Sequence, residues 1–242
     1  KGECKLFNQQ ACMRKLILFI SFCAVLGCQN KTTSLQTFSS KNAASYLALG
    51  DSYTIGESVA PQDRWPVQLA AVLNQKGIPM EDPHIIAKTG WTTDELMTGI
   101  KAANLSKTYD YVSLLIGVNN QYRGRSVENF EEEFVTLLVK AIEFSGNQTE
   151  KVFVLSIPDW GVTPFASTRN SEEIGAEIDA YNAVIEHQCL ERNIAYFNIT
   201  PISRQARSAP ELLANDDLHP SGLMYSRWVT SALPFFNNRS NE

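Results

Sequence analysis

From Tyr46 onward the chain alternates short apolar runs with longer amphipathic ones, and this alternation narrows its folds more than any other feature. Apolar runs at Tyr46–Leu49, His84–Ala87, Tyr111–Ile116, Val152–Leu155 and Ala195–Asn198 have the length of buried strands. Between them Trp65–Gln75, Thr93–Ala103, Val127–Phe144 and Glu172–Arg192 carry apolar residues at spacings of three and four, as Gly222–Leu233 does near the end. Thr93 before Asp94-Glu95 and Ser171 before Glu172-Glu173 read as N-caps with acids in the first turn. Such a βαβα order predicts one domain, a parallel sheet covered by helices on both faces. In such sheets ligands bind beyond the carboxyl ends of the strands, where the strand order reverses. The residues just after each strand therefore carry the functional information.

Composition narrows the chemistry. With 21 Lys+Arg against 26 Asp+Glu in 242 residues and no basic run, nucleic acid is not the expected partner. Five cysteines do not make a disulfide scaffold, because four fall within the first 28 residues and only Cys189 follows. Cys189 reads as a buried, inert thiol. No CxxC, HExxH or histidine pair at ligand spacing occurs, so neither metal nor cofactor is expected. Of the three histidines, His84 falls in a strand and His187 in mid-helix, both read as structural, whereas His219 follows an acid by three residues in a loop.

The front of the chain reads as an address. Residues 1–12 are taken as an upstream extension. Arg14-Lys15, the apolar run Leu16–Val25 and Leu26-Gly27-Cys28 have the layout of a secretory signal over residues 13–27, too short to span a bilayer permanently. The Val-Leu-Gly-Cys ending resembles a bacterial lipoprotein signal. That implies acylation of Cys28, which anchors the chain to a membrane of the cell envelope, the outer one facing the periplasm since Gln29 is not Asp. Residues 28–45 then form a solvated, Ser- and Thr-rich tether to a domain at 46–236.

Four loops carry the candidate chemistry: Gly50-Asp51-Ser52-Tyr53, Lys88-Thr89-Gly90-Trp91, Gly117-Val118-Asn119-Asn120 and Asp216-Asp217-Leu218-His219. Each is weak alone. A serine after a strand is commonly a helix cap, and an asparagine there often fills a turn. Together they offer a nucleophile, a base, a carboxylate and oxyanion donors along one sheet edge. In these four blocks the chain resembles the SGNH, or GDSL, hydrolases from Tyr46 to Leu233. The resemblance implies a three-layer α/β/α sandwich, flavodoxin-like, with five parallel strands in the order 2-1-3-4-5. One block departs from the family pattern: Asn120 stands where the family usually has Asp, which leaves open the loop contact that carboxylate would make.

The resemblance also implies roles. Ser52 is the expected nucleophile, His219 its base and Asp216 the orienting carboxylate, with Asp217 the less favoured alternative. The N–H groups of Ser52 and Gly90 and the Asn119 amide form the expected oxyanion hole. Asp51 reads as a loop brace. Trp91, Asn120 and Trp160 are candidate substrate-lining residues, although Trp160 and Phe165 read equally well as loop packing. Tyr122-Arg123-Gly124-Arg125 reads either as a cation near the substrate or, preferably, as a solvated turn. The expected activity is hydrolysis of small or medium acyl esters of lipids or O-acetylated carbohydrates. The competing expectation is a noncatalytic envelope lipoprotein that keeps the fold to bind glycan or lipid.

Overall fold

The computed structural model describes residues 43–237. The signal at 13–27, Cys28 and nearly all of the tether lie outside the described residues. The last expected tether residues are tied to the domain: Ala44 bridges Met80, and the Ser45 N–H and hydroxyl both donate to Asp110.

Five strands, β1 (Tyr46–Gly50), β2 (His84–Ala87), β3 (Tyr111–Leu115), β4 (Val152–Leu155) and β5 (Ala195–Phe197), form one sheet. Its order is β2-β1-β3-β4-β5, and every pairing is parallel. Each strand lies within one residue of its expected bounds. The central strands are the most apolar because helices cover both faces: β1 and β4 are buried throughout, whereas the edge strand β2 is partly exposed.

The helices are α1 (Ser52–Ile55), α2 (Trp65–Gln75), α3 (Thr93–Ala103), α4 (Val118–Tyr122), α5 (Val127–Phe144), α6 (Ser171–Glu191), α7 (Thr200–Ser203) and α8 (Gly222–Asn237). α2 packs on α8, and α5 packs on both α3 and α6. Between sheet and α8, Phe153 of β4 meets the rings of Tyr46, Trp65, Phe235 and Phe236 at 5.4–6.4 Å. Each fully buried ring of this kind stabilises the fold by about 1.5–3 kcal/mol.

Three helices differ from expectation at their ends. α3 is capped by Thr92, not Thr93; the Glu95 carboxylate reaches back to the Thr92 N–H at 2.9 Å, while Thr93 is buried and bonded elsewhere. α6 is capped by Asn170, not Ser171, because the Asn170 carboxamide oxygen accepts from the N–H groups of Glu172 and Glu173. α8 runs to Asn237 and carries Pro234 in its interior. A proline normally stops a helix at the preceding residue, but here the turn beyond it presents Phe235 and Phe236 to the core.

Candidate active site

β1 lies between β2 and β3, so the loops leaving these three strands meet where the crossovers diverge. Gly50 ends β1 under a tight constraint: a Cβ there would fall 2.5 Å from the Leu115 carbonyl oxygen of β3. Asp51 follows as the cap of α1, its Oδ1 accepting from the Tyr53 N–H at 3.0 Å. The cap is thus Asp51 and not Ser52, whose hydroxyl has no hydrogen-bond partner among the described residues. Asp51 is fully buried, and burial pushes its carboxyl up to about 7 against the pull of the Tyr53 N–H. The brace expected of it is what the structure has.

Gly90 follows β2 at φ 85, a left-handed backbone that favours glycine. Its carbonyl accepts from the Arg123 guanidinium at 2.6 Å, and Arg123 also meets Glu95 at 3.2 Å. Arg125 pairs with Asp94 at 2.7 Å and Glu133 at 3.3 Å. The Tyr122–Arg125 segment is the exposed turn preferred for it, but its two arginines are engaged, holding the loop after β2 and the start of α3. Neither the Gly90 N–H nor the Ser52 N–H donates to another described residue. The Asn119 side-chain amide donates one proton to the Trp91 carbonyl at 2.9 Å, which fixes its orientation and leaves its second N–H unassigned.

Asp216 and His219 come from the loop before α8. Asp216 Oδ2 lies 2.6 Å from His219 Nδ1; an ionised carboxylate only accepts, so Nδ1 bears the proton and Nε2 is left as the basic nitrogen. Oδ1 accepts the N–H groups of Leu218 at 3.1 Å and His219 at 2.9 Å. Partial burial pushes the Asp216 carboxyl up, but hydrogen bonds from Ser58, His219 and the loop backbone outweigh it and hold the group down to about 2. Asp217 is exposed and sits at φ 59 as the bend of the loop. His219 is 8% exposed, with the Tyr53 ring 5.6 Å from its own.

Ser52, Gly90, Asn119 and His219 all line one cavity of about 190 Å³. Its apolar wall is built from Val118, Tyr122, Trp160, Phe165 and Leu218. Trp160 is fixed by its indole N–H, which donates to Gln121 at 2.7 Å, while Gln121 donates to Glu177 at 2.6 Å. Tyr122 and Phe165 lie half-exposed beside it, with ring centroids 5.3 and 6.0 Å from that of Trp160.

Two expected lining residues do not reach the cavity. Asn120 is fully buried; it accepts from the Thr93 N–H at 3.1 Å and donates to the Thr93 hydroxyl at 2.6 Å, and that hydroxyl donates to Glu133. The Trp91 ring packs on α3 at Gly99. Ser58, which donates to Asp216 Oδ2 at 2.5 Å, had no signal in the sequence, and Tyr122 was singled out only with its arginine neighbours. His84 in β2 bonds the Tyr109 hydroxyl at 2.7 Å, and His187 pairs with Glu191 on the exposed side of α6. Cys189 is buried as a free thiol, and burial pushes it up to about 12. Among the described residues no group of three or more His, Cys, Asp or Glu could hold a metal ion.

The fold recurs in solved structures. The psychrotrophic esterase EstA from Pseudoalteromonas sp. superposes with a TM-score of 0.63 at 14% identity, covering 82% of this chain and 100% of its own. A lipase/acylhydrolase from Enterococcus faecalis gives 0.59 at 21% identity, covering 81% and 96%. The acetylxylan esterase Axe2 from Geobacillus stearothermophilus gives 0.60 at 16% identity, covering 79% and 93%. At these identities the likeness concerns the fold. No curated protein sequence matches the chain. The model of the GDSL-like lipase/acylhydrolase family matches residues 48–227, a span that opens in β1, holds all four loops and closes in α8. On that match the chain belongs to the GDSL-like lipase/acylhydrolase family and is an ester hydrolase.

Proposed function

We propose that the chain is a serine carboxylesterase that works through an acyl-enzyme, with Ser52 as nucleophile, His219 as general base and Asp216 as the orienting carboxylate. The convergence of Ser52, Gly90, Asn119 and His219 on one cavity, with Asp216 2.6 Å behind the imidazole, carries this reading. Ser52 Oγ attacks the ester carbonyl carbon as His219 Nε2 takes its proton. The tetrahedral oxyanion is received by the N–H groups of Ser52 and Gly90 and the unassigned N–H of Asn119. Collapse expels the alcohol, which takes its proton from His219, and leaves the acyl group on Ser52. Water activated by the same imidazole then releases the acid and restores the serine.

The size of the cavity bears on the acyl group. About 190 Å³ is small beside the roughly 300–1,000 Å³ of pockets for drug-sized ligands, which supports small to medium acyl groups; lipid and O-acetylated carbohydrate esters both offer such groups. Rates on p-nitrophenyl esters from C2 to C12 test this: a short-chain optimum is expected, and a C12 optimum would overturn the size argument. Ser52→Ala is expected to stay folded, lose turnover by several orders of magnitude and resist fluorophosphonate labelling. Near wild-type turnover in that variant would remove the assignment.

The N-terminal run belongs to the same proposal. The basic pair Arg14-Lys15, the apolar run and Gly27-Cys28 support export and acylation of Cys28. Cys28→Ser expressed in a bacterial host is expected to leave the membrane fraction; unchanged membrane retention would refute the anchor.

A further inference from the structure

The turn that follows α1 makes two bonds that the proposed mechanism does not use. Residues 56–59 leave the helix, and Ser58 sits among them at φ 64, a left-handed backbone that a residue with a Cβ adopts at a cost. Its hydroxyl donates to Asp216 Oδ2 at 2.5 Å across 158 residues of sequence. The same oxygen takes the His219 Nδ1 proton at 2.6 Å. Beside it, Glu57 accepts the hydroxyl proton of Thr89, the residue before Gly90. One short turn thus touches two of the three loops that face Ser52.

We infer that Ser58 is a positioning residue of the base: its hydroxyl holds the Asp216 carboxylate in the rotation that presents Oδ2 to His219. The inference rests on the esterase reading above. Asp216 Oδ1 is held only by N–H groups of its own loop, those of Leu218 and His219. Ser58 supplies the tie from the nucleophile's side, so the base loop is located relative to α1 and not merely folded on itself. Backbone strain retained at such a place is expected where the side chain has work that a glycine could not do.

The hydroxyl also shares the charge of Oδ2. Without it more of the charge on Oδ2 faces the imidazole, and the acid limb of the kcat/KM profile is expected to move to higher pH. The Tyr53 ring lies 5.6 Å from that of His219, and Tyr53 and Tyr225 of α8 both feel the charge of Asp216, together with that of Asp51 and, for one or the other, of Asp159 and Glu57; Asp217 is the neighbour of Asp216 in the loop. A Ser58 variant leaves all of them in place.

The experiment compares wild type, Ser58→Ala and Ser58→Gly for kcat, KM, the pH profile on p-nitrophenyl acetate and Tm. Both variants are expected to lose about 10- to 100-fold in kcat at unchanged KM, with the acid limb displaced upward. Ser58→Gly is expected to match or exceed the wild-type Tm, because glycine takes φ 64 without the Cβ penalty. A purely structural turn residue would give the opposite: lowered Tm with the profile unmoved. Folded Ser58→Gly with wild-type kcat and acid limb overturns the inference, and that variant decides the matter if Ser58→Ala fails to fold. Full turnover in Ser52→Ala would instead remove the esterase reading on which this one rests.

Discussion

Asp216→Asn separates the two jobs of this carboxylate, and its consequences can be worked from the four bonds the side chain receives. On Oδ1 the backbone N–H groups of Leu218 and His219 need only an oxygen, which the asparagine carbonyl supplies, so the loop keeps its shape. On Oδ2 the N–H of His219 and the hydroxyl of Ser58 meet an NH₂ instead. Ser58 can turn to accept; the imidazole must move its proton to Nε2 to accept at Nδ1. The basic nitrogen facing Ser52 is then lost, and the equivalent change in a Ser-His-Asp triad lowers kcat about 10⁴-fold. Stability should respond on a separate scale. The carboxyl is held down to about 2 from 3.8; at about 1.4 kcal/mol per unit, discounted for a side chain in contact with solvent, that leaves about 1–2 kcal/mol. Because the folded value is depressed, this contribution is present above about pH 4 and lost as the pH falls toward 2. Urea midpoints from pH 7 to pH 2 should therefore fall more steeply in wild type than in the variant. Asp217→Asn, at the exposed bend with φ 59, is the control and should leave kcat unchanged. Less than a tenfold loss in folded Asp216→Asn would refute the reasoning.

Asn119→Ala removes one oxyanion donor and should lower kcat about 10²–10³-fold, roughly 3–4 kcal/mol of barrier; steady-state kinetics showing less than a fivefold effect would take Asn119 out of the hole. Asn120→Asp restores the residue usual in the family but places a buried carboxylate at Thr93, whose one hydroxyl proton goes to the partly exposed carboxylate of Glu133. It should destabilise by about 1–3 kcal/mol, more at pH 8 than at pH 5, because a buried carboxyl with a raised folded pKa loses stability as pH rises. A variant more stable than wild type by urea denaturation would disprove that account of the Thr93 contacts.

What the sequence disclosed and what it hid divide along a physical line. Strands and long helices write themselves as apolar periodicity, so α2, α3 and α5 coincide with their expected bounds. Four- and five-residue helices such as α1, α4 and α7 are too short to show a period, and none was expected. The α3 cap differs by one residue because Thr92 and Thr93 are chemically alike and both fully buried; only their partners separate them, Thr92 bonding Glu95 of its own first turn and Thr93 bonding Asn120 and Glu133. Ser52, Gly90, Asn119 and His219 were legible because each follows a strand or precedes the last helix and acts through its own atoms. Trp91 was misplaced for the converse reason: an aromatic beside a motif says nothing about which side of its loop it packs on.

The residues whose roles the sequence does not disclose share a mode of action. Ser58 reaches Asp216, Arg123 reaches the Gly90 carbonyl, and Asn120 holds Thr93; each works through a residue far away in the chain, so local pattern cannot reveal it. Together with the bond from Asn119 to the Trp91 carbonyl, these ties cross from one loop to the next and never stay within one. A site assembled from four separate loops needs that arrangement. An oxyanion hole is effective only when its donors are already aimed before charge develops, since reorienting them during the reaction would consume the stabilisation they provide. The strand ends bring the loops together, but a strand end leaves its loop free to rotate about the last peptide. Cross-loop bonds remove that freedom. It follows that substitutions at Arg123 and Ser58, neither of which need touch substrate, should act on kcat through orientation, and that their effects should combine non-additively with changes at Gly90 and Asp216 respectively.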